Sequence, residues 1–283
     1  MTKAFARGTD VVIGYGGRTA VDRSSFTVPA GRITTLIGPN GSGKTTLLNA
    51  LAGLAEPASG RLLVLGEQPA AVRTRLSYVL QDGQLPAGTP LTVEEAVGMA
   101  RYASLGILGR RRREDRERVV DAMRQLDILH LAQRHLTELS GGQRQRVYVA
   151  QGVAQDRCAL LLDEPLTGLD LVSARTIDAI IHAERDGGGT VVLTTHDLDE
   201  AMAADHVILM GGRVVSSGPP RSVLTQHNLE VAYGLGALHE HALFVDDPAH
   251  GSHPHAHESR EPHWHEPGPE PGGLEVHGDD AAS

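Results

Sequence analysis

The chain has 283 residues, enough for one large or two small domains with a substantial core. With 40% apolar and 22% charged residues it reads as mostly globular, and 3% aromatic residues with a net charge of −9 argue against a dedicated nucleic-acid binder. A single cysteine, Cys158, excludes an internal disulfide, fits a reducing compartment and is expected to pack as a small buried apolar side chain. No apolar run approaches the ~18 to 20 residues needed to cross a bilayer, and MTKAFARGTD lacks the apolar stretch of a secretory signal. The expectation is a chain that is soluble, or held at a membrane by another subunit.

Short β-branched or apolar runs alternate with helical patterns, the layout of an α/β sheet with crossover helices. Strands are expected at Val11–Ile13, Phe26–Val28 and Ile33–Ile37. Directly after the third stands GPNGSGKT, Gly38 to Thr45, a match to G-x-x-x-x-G-K-[ST], followed by a helical run from Thr46 to Ala52. Glycines let the backbone wrap close enough for several N–H groups to point at phosphate oxygens, and the helix N-terminus adds its positive dipole end. Lys44 then offers a cation for β and γ phosphates and Thr45 a hydroxyl for Mg²⁺. The bland alternative is a chance glycine-rich turn, which the strand before and the helix after argue against.

Further strands are expected at Leu62–Leu65 and Ser77–Leu80, after which strand signals vanish from about residue 90 to 139. There helical spacing takes over, as in Val119, Val120, Met123 and Leu126, which reads as an inserted helical subdomain. Its Arg110 to Arg113 run is followed within a turn by Glu114, Asp115 and Glu117, so a self-paired, solvated helix start is expected rather than a basic binding patch.

Beyond the insertion, the apolar strand Ala159–Leu162 runs into Asp163 and Glu164. That places two carboxylates at the carboxyl end of a buried strand, where ligands sit in open α/β sheets. Asp163 suits Mg²⁺ and Glu164 suits general-base activation of water, although such a pair can also merely cap the next element. A P-loop alone fits a kinase, a GTPase or a motor, and it is the rest of the chain that separates them. Strands Val191–Thr194, Val207–Met210 and Val214–Ser216 follow, with THD and thus His196 directly after the first of them. A lone histidine more often makes a structural hydrogen bond than a catalytic one, and the position after a strand favours function here.

The last segment differs from the body. From Val245 onward there are nine acidic residues against Arg260 alone, with seven of the fifteen histidines and six of the fifteen prolines, leaving the body nearly neutral at 25 basic and 26 acidic residues. We expect a domain over residues 1–236, a boundary near 237–245, and a low-complexity, disordered tail up to residue 283. Six histidines, His250, His253, His255, His257, His263 and His265, lie within sixteen residues, interleaved with Glu258, Glu261 and Glu266. Neutral imidazoles suit Zn²⁺, Ni²⁺ and Cu²⁺, and a solubilising segment is the alternative.

LSGGQ, Leu139 to Gln143, about twenty residues before the acidic strand, joins these motifs into one pattern. Across residues 5 to 236 the chain resembles the ATP-binding-cassette (ABC) ATPases. The resemblance implies a P-loop NTPase fold with a mixed or parallel sheet, an N-terminal antiparallel β part and the inserted helical subdomain. It implies that the stretch Gly38, Pro39, Asn40, Gly41, Ser42, Gly43, Lys44, Thr45 and Thr46 holds ATP and Mg²⁺, that Glu164 and His196 act in hydrolysis, and that Asp163 meets Mg²⁺. Gln81 in YVLQD matches the Q-loop, a candidate for Mg²⁺ and the attacking water, and Asp170, ending DEPLTGLD, matches the D-loop. Tyr15, 29 residues before Lys44, stands where the family keeps an aromatic that stacks on adenine, and is equally a candidate core aromatic. Ser140, Gly141, Gly142 and Gln143 match the signature that faces the nucleotide of a second cassette across a homodimer; a helix beginning there aims free N–H groups at an anion.

The resemblance also implies integral-membrane permease subunits, an extracytoplasmic solute-binding protein acting through them, no nucleic-acid partner, and a peripheral place on the cytoplasmic membrane face. Within the family, the insertion and the signature stretch look most like the cassettes of manganese and zinc importers. The alternatives are another cargo with the tail a metal buffer or a solubilising segment, or a soluble cassette of translation or DNA repair; the latter usually carries two cassettes or long coiled coils, which are absent here.

Overall fold

A computed structural model describes residues 3–80, 90–102 and 112–235, apart from the Tyr15 side chain. Gln81 and the six tail histidines lie outside the described residues. Strands β1 (Ala4–Tyr15) and β2 (Arg18–Pro29) form a hairpin closed by Gly16 and Gly17, both at positive φ. The next strand, β3 (Ile33–Ile37), leads through the glycine-rich loop into helix α1 (Lys44–Leu51), and β4 (Ser59–Val64) returns to pair with β1 in a three-stranded antiparallel sheet.

Both hairpin strands are longer than the apolar runs suggested. Along β2 buried and exposed positions alternate, so half of its residues are polar and mask the strand signal. In β1 the register slips between Gly8 and Val11, with Asp10 at φ 48°, and Gly60 of β4 meets that bulge so closely that a Cβ there would lie 2.1 Å from the Asp10 carbonyl oxygen. Leu65, expected to end a strand, instead sits past β4 at φ 54°.

Helix α2 (Pro69–Val72) precedes β5 (Leu76–Val79), which stops one residue short of the half-exposed Leu80. Helices α3 (Val93–Gly98), α4 (Arg113–Gln125) and α5 (Gly141–Val153) then pack on one another. The chain continues through β6 (Ala159–Leu162), α6 (Leu171–Asp186), β7 (Thr190–Thr195), α7 (Leu198–Ala203), β8 (His206–Met210) and β9 (Val214–Gly218). These strands build a second sheet in the order β5-β6-β7-β3-β8-β9, parallel throughout except for the antiparallel pair β8–β9. The apolar runs do not alternate because both faces are covered. Leu160, Leu162, Val191 and Leu193 join a core shared with α4, α5 and α6, while Leu161 and Val192 join Phe5, Ile13, Leu47 and Leu51 between the two sheets.

Cys158 is exposed, contrary to the buried position expected for it: β6 begins only at the following residue, and the thiol lies 3.8 Å from Arg75 Nη2. Of the arginine run, Arg113 pairs with Glu117 one turn on, at 2.8 Å, as the alternating charges suggested, and Arg118 reaches Asp156. Arg110 and Arg111 lie outside the described residues. Among the described residues no helix is long and apolar enough to cross a membrane.

A buried charge cluster ties the helical layer together. Arg101, just after α3, donates from Nε to Asp115 Oδ1 at 2.9 Å, from Nη2 to Asp156 Oδ2 at 2.8 Å and from Nη1 to the Ala154 carbonyl at 3.1 Å. The Arg101 and Asp115 side chains are 6% and 7% exposed. Removing one partner of a buried pair strands the other, so Arg101→Ala is expected to cost about 3–5 kcal/mol of stability at neutral pH. The Arg112 backbone N–H, and then the Arg101 guanidinium, hold the Asp115 carboxyl below its usual 3.8. A depressed carboxylate stabilises the fold fully above that usual value and loses this contribution as pH falls below it. Denaturant titrations at pH 7 and pH 3 should therefore show the Arg101→Ala penalty shrinking in acid; a pH-independent penalty would contradict this account.

Candidate nucleotide-binding and hydrolytic site

The parallel strands β3, β6 and β7 all end at the same sheet edge, so Gly38, Asp163 and His196 converge there although far apart in sequence. Between β3 and α1 the loop Gly38–Gly43 is held by backbone contacts. A Cβ on Gly38 would lie 2.1 Å from the Met210 carbonyl oxygen, and one on Gly43 would lie 2.7 Å from that of Ala20. The loop is therefore wedged between β8 and β2 in a conformation open only to glycine, with Gly43 at φ 95°. Helix α1 has no side-chain N-cap, and its N-terminus opens on a cleft of about 600 Å³ lined by Asn40, Gly41, Ser42, Gly43, Lys44, Thr45, Thr46, Glu164 and Ala20.

Lys44 is 6% exposed, and its Nζ donates to the carbonyls of Gly38 at 2.9 Å and Pro39 at 3.2 Å. Burial pushes its pKa below 10.5, against the opposing pull of the Glu164 and Asp163 carboxylates. Asp163 is 3% exposed and accepts at Oδ1 from Thr45 Oγ1 at 3.2 Å and from Thr194 Oγ1 at 2.6 Å. Glu164 carries φ 45°, a left-handed conformation that costs a non-glycine residue about 1–3 kcal/mol. Its N–H donates to Thr194 Oγ1 at 2.8 Å, and its Oε2 accepts from Thr167 Oγ1 at 3.2 Å. His196 Nδ1 lies 3.8 Å from Glu164 Oε2, with the ring half-exposed.

These groups fit a nucleotide with Mg²⁺. The Thr45 hydroxyl and the Asp163 carboxylate form a hard-oxygen pair of the kind Mg²⁺ takes. The buried Ser42 hydroxyl has no hydrogen-bond partner among the described residues, an acceptor or donor left over within the phosphate loop.

The signature residues lie elsewhere. Ser140 caps α5 in a reciprocal box: its Oγ accepts from the Gln143 N–H at 3.2 Å, and Gln143 Oε1 accepts from the Ser140 N–H at 3.0 Å. Gly142 is buried on the start of α6, where a Cβ would lie 2.4 Å from Asp170 Oδ2 and 2.5 Å from Ser173 Oγ. Asp170 in turn caps α6, accepting from the Ser173 N–H at 2.9 Å and hydroxyl at 2.8 Å, and the backbone donor in particular lowers its pKa. The structure thus brings Gly142 of the signature against Asp170, while neither Ser140–Gln143 nor Asp170 lines the phosphate cleft.

Tyr15 ends β1 opposite Arg18, and the adenine role concerns a side chain outside the described set. Nothing local in the sequence marks Thr194 as a site residue; the only signal is that β7 would have to lie beside β6. Among the described residues no group of three or more His, Cys, Asp or Glu side chains is placed to hold a metal.

The loop, the uncapped helix and the carboxylates at the sheet edge define a P-loop nucleotide hydrolase. The ABC transporter family model matches residues 21–167. The chain is 36% identical over 262 residues to the ferric enterobactin transport ATP-binding protein FepC of Escherichia coli (strain K12), covering 89% of this chain and 94% of that protein. It is 32% identical over 225 residues to the manganese transport system ATP-binding protein MntB of Listeria monocytogenes, covering 79% and 94%. A chain from an inward-facing structure described as a metal-chelate type ABC transporter superposes with a TM-score of 0.71 at 27% identity, over 81% of this chain and 89% of that one. The chain belongs to the ABC transporter family, as an ATP-binding cassette whose ATPase activity is coupled to transport.

Proposed function

We propose that this cassette works as a homodimer on the cytoplasmic face of the membrane and energises import of zinc or manganese through a separate permease fed by an extracytoplasmic solute-binding protein. The observation that carries the hydrolytic half is the convergence of Lys44, Thr45, Asp163, Glu164 and His196 on one sheet edge. Backbone N–H groups of Gly41 to Thr46 and the Lys44 ammonium bind the phosphates. Thr45, Asp163 and, by its place in the sequence, Gln81 hold Mg²⁺, which supplies charge neutralisation of the phosphates. Glu164 orients the attacking water and takes its proton on the carboxylate, and His196 lies beside it within reach of the same reacting group. Ser140, Gly141, Gly142 and Gln143 serve the second cassette's nucleotide, a reading supported by their not lining their own chain's cleft.

The cargo reading rests on the manganese-transporting relative and on the histidine-rich tail beyond residue 236. The length of the FepC match favours a second cargo, a ferric chelate. Purification from the source membrane should bring down a multi-span permease, and the reconstituted complex should take up Mn²⁺ or Zn²⁺ on ATP addition. Uptake of ferric chelate alone would establish the second reading. In the same complex, deleting residues 237–283 should leave basal hydrolysis within about twofold, because the nucleotide motifs end at His196. Calorimetry on the full chain should show Zn²⁺ binding at neutral pH that fades as pH falls through the ~6.5 of a free imidazole, and the shortened chain should not bind. Equal heats for the two chains would leave the tail a solubilising segment.

A further inference from the structure

We propose that Thr194 is a positioning residue for hydrolysis, one buried hydroxyl that sets both carboxylates of the acidic strand end. The inference rests on the reading of Glu164 as general base. Strand β7 lies between β3 and β6, and the parallel register places Leu193 beside Leu162 and Thr194 beside Leu36. Thr194 is therefore level with the first residue beyond β6, which is Asp163. Its side chain is fully buried. A hydroxyl has one proton to give and lone pairs to receive. Thr194 uses both, donating to Asp163 Oδ1 at 2.6 Å and accepting the Glu164 N–H at 2.8 Å.

Two consequences follow from those bonds. Asp163 Oδ1 is fixed from both sides, by Thr45 of the phosphate loop and by Thr194 of β7, so the carboxylate cannot rotate away from the Thr45 hydroxyl. Glu164 is in a left-handed conformation that its own side chain does not favour, and its N–H is anchored at the same oxygen. An anchored peptide holds the Glu164 carboxylate where the Thr167 hydroxyl and the His196 ring meet it. No other side chain on the described residues bonds to both Asp163 and the Glu164 backbone. His196 follows two residues later, one position past the end of β7, so a movement of that strand end shifts all three groups together.

Thr194→Val keeps the shape and removes both bonds, and Thr194→Ser keeps both bonds and removes a methyl. The purified cassette, or its complex with the permease, should show kcat reduced at least about tenfold in Thr194→Val with the ATP half-saturation constant changed by less than about threefold, and kcat in Thr194→Ser within about threefold of the parent. Melting temperatures report whether the variants fold. A Thr194→Val kcat within twofold of the parent overturns the inference, and so does a fall in kcat that Thr194→Ser shares, because shape and not the hydroxyl would then matter. Glu164→Gln is measured alongside. If it stops hydrolysis while Thr194→Val does not, the inference alone fails; if it hydrolyses normally, the underlying reading of Glu164 fails.

Discussion

Glu164→Gln is expected to lower steady-state ATP hydrolysis by about 10²- to 10⁴-fold while ATP still binds. The amide has nearly the shape of the carboxylate, so the left-handed backbone and the N–H bond to Thr194 persist. What is lost is the oxygen that takes a proton from water beside His196. The phosphate loop is untouched, because Lys44 is held by the carbonyls of Gly38 and Pro39, and Gly38 and Gly43 lie close against the backbone of β8 and β2. With binding intact and turnover blocked, two cassettes should stay closed over their nucleotides and elute as a dimer in ATP and Mg²⁺. Near-parental turnover, or a monomer at saturating ATP, would remove the mechanism.

Ser140→Arg should also stop hydrolysis, by a different route. The substitution deletes the hydroxyl of the capping box, worth about 1 kcal/mol to α5, and sets a cation at a helix N-terminus, where the dipole disfavours it. ATP binding by the isolated chain should be spared, since Ser140 does not line the cleft. Mixing with Lys44→Ala chains makes the test decisive. Each variant is inactive by itself, yet a mixed dimer pairs one intact phosphate loop with one intact signature. An equal mixture should therefore recover hydrolysis, up to about a quarter of the parental rate if sites act independently. Parental activity in Ser140→Arg alone would mean the signature takes no part in the site.

The chemistry-bearing residues were legible because their spacing is local. The Gly38–Thr45 loop, the Asp163–Glu164 pair after an unbroken apolar strand and the histidine after Thr195 each occupy a few consecutive positions, and each sits at the end of a buried parallel strand. Thr194 was not legible, since its meaning comes from a neighbour 31 residues away in a register that only the folded sheet sets. The Arg101 cluster was hidden for the same reason: an arginine inside an apolar helical stretch carries no mark of the two aspartates, 14 and 55 residues on, that neutralise it. The full extent of β1 and β2 is hidden in the sequence because Asp10, Arg18 and Asp22 interrupt the apolar pattern, while in the sheet pairing resumes after each register shift. Cys158 shows the opposite error, a residue type that is usually buried placed one step before the strand that would have buried it.

Lys44 meets phosphate from an unusual starting point. An ammonium in water must shed a tight hydration shell before it can touch an anion, and much of the attraction is consumed in doing so. This one has shed it during folding, with the carbonyls of Gly38 and Pro39 standing in for solvent. Engagement of a phosphate oxygen is then a change of partner for a charge already withdrawn from most of its water. The cost of drying the charge falls on the stability of the empty-handed fold, and the nucleotide collects the benefit as affinity.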